Sequence, residues 1–100
     1  MPRVIWTESA SQQLSDLESA EFAEQLVAVA SGLNRFPERG RKVPELVGHP
    51  EYDILREIIL PRKARLIYLF APDSDEVLIL GTITRGRIFR REVLRPYFNP

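Results

Sequence analysis

Residues 52–60 read YDILREIIL, residues 64–71 read ARLIYLFA and residues 77–84 read VLILGTIT, with PRK and PDSDE between them. Each run is dense in β-branched, aromatic and aliphatic side chains and ends at a turn former, which is the pattern of strands. Pro61 ends the first run, Arg62 and Lys63 make the turn, and Pro72-Asp73-Ser74-Asp75 is a strong turn signal. Connections this short favour antiparallel pairing, so the three runs are expected to form a meander. Working outward, residues 3–6 (Arg-Val-Ile-Trp) read as a further short strand. Thr7 then offers an N-cap oxygen and Glu8 a negative charge in the first turn, so a helix is expected through Leu17 with Ala10, Leu14 and Leu17 on one face. After a break at Ser19, Phe22, Leu26, Val29, Leu33 and Phe36 recur at helical spacing until Pro37. The order is β-α-α-β-β-β, an α+β, two-layer domain in which a helical hairpin packs on a small sheet. Residues 1–100 are read as a single domain, with residues 87–98 as a short helix or an arginine-studded tail.

Composition narrows the function classes. The chain is 44% hydrophobic and 28% charged, an ordinary globular balance. It has no cysteine, which excludes thiolate catalysis, disulfides and Cys-based zinc sites, and its one histidine, His49, excludes paired-His metal motifs. Neither a P-loop nor a G-x-G-x-x-G stretch occurs, so no metal or cofactor is expected. The longest apolar run is Leu66–Ala71, far short of the roughly 20 residues that span a bilayer. Residues 2–6 are too short to serve as a signal peptide, and a cytoplasmic, membrane-independent protein is expected.

The net charge of zero conceals a division: residues 1–34 carry −4 and residues 35–100 carry +4. Twelve of the fourteen basic residues are arginines, the side chain suited to bidentate phosphate and carboxylate contacts, although arginine-rich composition alone would give the same bias. Arg56, Arg65, Arg85 and Arg87 lie on or just past adjacent strands, so they are expected to converge on one concave face. Converging guanidinium groups suit a polyanion, or the charge that develops on a phosphate in a transition state. The alternative is that Arg56 makes an ordinary cross-strand ion pair with a carboxylate such as Glu57. His49, before Pro50, reads as a solvated loop residue, and Tyr68, between Leu66 and Phe70, as core.

The succession Gly40-Arg41-Lys42-Val43-Pro44-Glu45-Leu46, then Leu55-Arg56-Glu57-Ile58, then Arg65-Leu66-Ile67-Tyr68, then Thr84-Arg85-Gly86-Arg87 resembles the RelE/ParE superfamily of bacterial toxins, across nearly the whole chain. The resemblance implies the toxin of a type II toxin–antitoxin module, a small sheet packed against two helices, and a cognate antitoxin, partly disordered before binding, in a hetero-oligomer. It implies one of two activities. RelE-like members cut mRNA in the ribosomal A site without a metal, and ParE-like members poison DNA gyrase without nuclease chemistry. Under the first, the resemblance puts Arg65, Arg56 and Arg85 or Arg87 on the phosphate; Arg65, Arg85, Arg56 and Glu57 are the catalytic candidates, and acid–base work would rest on Glu45, Glu57, Tyr68 or His49. Some nucleases of the family carry a histidine or tyrosine near the C-terminus; Tyr97 here follows Arg87 by ten residues. Arg41, Lys42, Arg62, Lys63, Arg87, Arg90 and Arg91 are assigned to binding RNA or another target, and the helical stripe and sheet edge to docking the antitoxin.

Overall fold

A computed structural model describes residues 1–61 and 64–83, with the exception of the Glu45 side chain. The elements are β1 (Arg3–Trp6), α1 (Glu8–Ser15), α2 (Ala20–Gly32), β2 (Arg41–Lys42), β3 (Leu55–Ile59), β4 (Arg65–Ala71) and β5 (Glu76–Ile83). Among the described residues they form one five-stranded mixed sheet in the order β1-β5-β4-β3-β2, with two helices packed on it. The meander read from residues 52–84 is present: β3 pairs antiparallel with β4, and β4 with β5. β1 runs parallel to β5, and Arg3 and Glu76, register partners on the two strands, form an ion pair at 2.6 Å.

Both helices begin where the sequence supplies a cap. Thr7 Oγ1 accepts from the Ala10 amide, and the Thr7 hydroxyl donates to the Ile79 carbonyl at 2.8 Å, tying the start of α1 to β5. Ser19, read as a break, is the N-cap of α2, with its hydroxyl accepting from the Phe22 amide at 3.1 Å. The second helix is shorter than the apolar spacing predicts. After Gly32 the chain tightens, with the Leu33, Asn34 and Arg35 amides bonding carbonyls three residues back. Phe36 therefore leaves the stripe and is 66% exposed. Leu26, Ala30 and Leu33 stay buried, with Phe22 and Val29 packed beside them, so the stripe is core and not an open docking face.

The sheet carries a core on each face. Ile58, Leu66, Tyr68, Val77 and Ile79 meet the helices. Leu55, Ile67, Leu69 and Leu80 point the other way and pack with Val43 and Leu46, at either end of the 3-10 turn Pro44–Leu46. A second 3-10 turn, Pro50–Tyr52, occupies the start of the run expected to be strand, which begins only at Leu55. Two prolines six residues apart, Pro44 and Pro50, remove the amides an extended edge would need there. Thr84 and residues 87–98 lie outside the described residues, as do Arg62 and Lys63.

Candidate functional site

Strand periodicity divides the arginines between the two faces. β3 and β4 pair in the register Arg56↔Tyr68 and Glu57↔Ile67, and β2 adds Lys42↔Arg56 and Arg41↔Glu57. Successive side chains alternate sides, so Arg41, Glu57 and Arg65 share the face away from the helices. Arg56 and Tyr68 share the helix side.

On the far face the three charged residues meet. The Glu57 side chain is fully buried, with Oε1 3.5 Å from Arg41 Nε and Oε2 3.5 Å from Arg65 Nη1. Neither carboxylate oxygen accepts an aligned hydrogen bond from the described residues. The contacts are longer than the roughly 2.7–2.9 Å of a charge-assisted bond, so Coulomb attraction rather than bond geometry holds the group. The two cations differ in access: 61% of the Arg41 side chain is exposed, but only 16% of Arg65. Among the described residues one carboxylate stands between two guanidinium groups, with Arg41 the outward member. It can meet an anionic or polar partner, but Glu57 beneath it cannot reach a substrate proton.

On the helix side Arg56 has a different task. Its Nη1 donates to the Gly40 carbonyl at 2.8 Å and to the Glu38 carbonyl at 3.3 Å. Tyr68 is fully buried, and its Oη accepts from the Gly40 amide at 2.7 Å. Burial pushes the Tyr68 phenol above its ordinary value, against the opposing influence of the Gly40 amide and of the Arg56 and Arg39 charges.

The expected convergence is thus corrected in one member. Arg56 and Arg65 do not share a face, because the register sets Arg56 opposite Tyr68 and puts Glu57 on the side of Arg65. Arg56 does not pair with Glu57 either; adjacent strand residues point apart, and Glu57 instead takes Arg41 and Arg65. Lys42 is exposed at the edge, on the Arg56 side. Arg62, Lys63, Arg85, Arg87, Arg90, Arg91 and Tyr97 lie outside the described residues. His49 precedes the second 3-10 turn, with Nδ1 3.7 Å from a Glu51 carboxylate oxygen, and does not join the cluster. Glu45 sits in the first 3-10 turn. Gly40 is a contact that the sequence does not signal; a lone glycine before two basic residues carries no trace of the tyrosine and arginine that grip it. Among the described residues no three His, Asp or Glu side chains come together as a metal site, and no helix is long and apolar enough to cross a membrane.

Residues 4–89 match the family described as ParE toxin of type II toxin–antitoxin system, parDE. The fold is similar to that of the toxin–antitoxin complex RelBE2 from Mycobacterium tuberculosis, at 25% identity and a TM-score of 0.68 over 85% of this chain and 100% of that one. It is also similar to the isolated Escherichia coli RelE toxin, at 20% identity and a TM-score of 0.68 over 88% of each chain. The intact E. coli RelBE toxin–antitoxin complex matches at 17% identity and a TM-score of 0.64, over 87% of this chain and 100% of that one. Curated protein sequences gave no match.

Proposed function

This chain belongs to the ParE toxin family of type II toxin–antitoxin systems, and from that membership we propose that it arrests growth in the ParE manner, by occupying DNA gyrase rather than by cutting RNA. The observation that carries this reading is the use to which the described nuclease candidates are put. Arg56 grips two backbone carbonyls, Glu57 is 1% exposed beneath two arginines, and Tyr68 is wholly buried with its hydroxyl engaged by Gly40. A general acid or base has to come within about 2.6–3.2 Å of the proton it moves, and Glu57 and Tyr68 are both shut in the interior. What the cluster offers a partner is charge and shape, with Arg41 outermost and Arg65 behind it. A cognate antitoxin would neutralise the toxin by covering it, in keeping with the two similar toxin–antitoxin complexes, in a hetero-oligomer.

A second reading, ribosome-dependent mRNA cleavage in the RelE manner, is favoured by a different observation. Arg41 and Arg65 lie on one face, where their charge could stabilise a pentavalent phosphate. Arg85 would belong to the same role. Under this reading Glu57 orients the two arginines and is not the base.

Pulse labelling after induction in bacteria lacking the antitoxin separates the two. Thymidine incorporation is expected to fall before methionine incorporation, and purified gyrase is expected to lose supercoiling activity when the chain is added. An earlier fall in methionine incorporation, with mRNA cuts inside ribosomes, would replace the gyrase reading with the nuclease one. Continued growth with both labels unaffected would remove the toxin function itself.

A further inference from the structure

The charged cluster depends on where a two-residue strand is set. β2 is only Arg41–Lys42 and, among the described residues, pairs with Glu57 and Arg56 alone, too little pairing to hold an edge by itself. What fixes it lies one residue upstream. Gly40 is gripped at both of its peptide groups: its amide donates to Tyr68 Oη at 2.7 Å, and its carbonyl accepts from Arg56 Nη1 at 2.8 Å. Arg56 and Tyr68 are register partners, so the two side chains rise from one face of adjacent strands and close on the same residue. The fit is tight enough to require glycine. A Cβ at position 40 would lie 2.7 Å from the Glu57 carbonyl oxygen and 2.8 Å from Tyr68 Cε1 and Oη.

We propose that Arg56 and Tyr68 are positioning residues that latch Gly40 against β3 and β4, and so hold Arg41 over Glu57 beside Arg65. The latch works across the sheet: groups on the helix side decide where a cation stands on the far side. This inference rests on the target-facing role given above to Arg41, and the experiment separates the two.

Residue-resolved hydrogen exchange on the purified chain reads the latch directly. In Tyr68→Phe, the Gly40 amide is expected to exchange at least about tenfold faster, since its acceptor is gone while the ring remains. In Arg56→Met, the β2 amides are expected to exchange faster, and Arg56→Lys, which keeps a cationic donor, is expected to restore much of their protection. Amides of β4 and β5 should stay protected in all three. Unchanged exchange at Gly40 and β2 in both Tyr68→Phe and Arg56→Met would overturn the proposal. So would equal loosening of the whole sheet, which is what a general packing role predicts. Toxicity supplies the second arm. Arg41→Ala and Arg56→Met should both need more protein to stop growth, with Arg56→Lys closer to wild type. If Arg41→Ala remains fully toxic, the target-facing role of Arg41 fails while the exchange data still judge the latch. If Arg41→Ala loses toxicity but Arg56→Met, with its β2 loosened, keeps it, the positioning role is wrong.

Discussion

The two sides of β3 and β4 use the same side-chain chemistry for opposite ends. On the helix side, Arg56 and Tyr68 turn their polar atoms to the backbone of Gly40, and the Tyr68 ring belongs to a continuous apolar core. On the far side, Arg41 and Arg65 turn theirs to a single buried carboxylate. A guanidinium bonded to carbonyls gives its directed hydrogen bonds to the fold, whereas of the two that share one carboxylate Arg41 stays exposed to meet a partner. The contrast shows why residue type alone does not identify a functional arginine. Its face and its acceptor do.

The largest expected effect strikes the far side. Glu57→Ala leaves Arg65 largely buried without this counter-charge, and breaking a buried ion cluster costs about 3–5 kcal/mol. Urea titration should show that loss, comparable with the roughly 2–5 kcal/mol expected for Leu66→Ala on the helix side. A loss within the small range of exposed ion pairs would mean that the two cations find other compensation, and the contrast between the faces would weaken.

The next effect lies where the faces meet. Gly40→Ala drives a methyl against the Glu57 carbonyl and the Tyr68 ring, an overpacking expected to cost about 1–3 kcal/mol. Gly32→Ala is its control. Nothing lies within 4 Å of a Cβ built there, and at the last residue of α2 the change should stabilise by about 0.4–1 kcal/mol through the unfolded chain. Denaturation midpoints should therefore move in opposite directions for the two substitutions. Midpoints that move together would deny the close approach at Gly40.

How much of this could be read in advance follows from the range of the signal. The three strands of the meander, β1, and the two capped helices rest on local periodicity and caps, and all were legible within a residue or two, apart from the later start of β3 and the early end of α2. Pairing Gly32 with a tightening turn freed Phe36 from a stripe whose spacing was otherwise sound. The site was legible only in part. Arg65 and Glu57 could be named, and Arg41 with them, but which face each takes depends on a register that no residue on β3 announces. β2 is two residues of Arg-Lys with no strand propensity to betray it. It exists because Gly40, sixteen residues before Arg56 and twenty-eight before Tyr68, is held by both. Contacts at that separation leave no periodicity to read.

The smallest effect separates the latch from the core that surrounds it. Tyr68→Phe keeps the ring among Leu66, Val77 and Ile79 and removes one hydrogen bond, a loss of about 0.5–1.5 kcal/mol near neutral pH. Its signature is in the pH profile. Burial holds the Tyr68 phenol above the ordinary value of about 10, so the folded chain keeps this proton at a pH where the unfolded chain gives it up. Below about pH 10 both states are protonated and the stabilising contribution is fully present. As pH rises from the unfolded value toward the folded one, the unfolded state binds fewer protons, and stability declines with each step. Wild type should therefore lose stability more steeply above about pH 10 than Tyr68→Phe, and the two curves should draw together as the medium becomes more alkaline. Parallel curves would mean that the phenol ionises as readily in the fold as out of it. The Gly40 amide and the Arg56 and Arg39 charges, which favour the phenolate, would then offset the whole of its burial, and the pH profile would no longer distinguish the helix side from a solvated tyrosine.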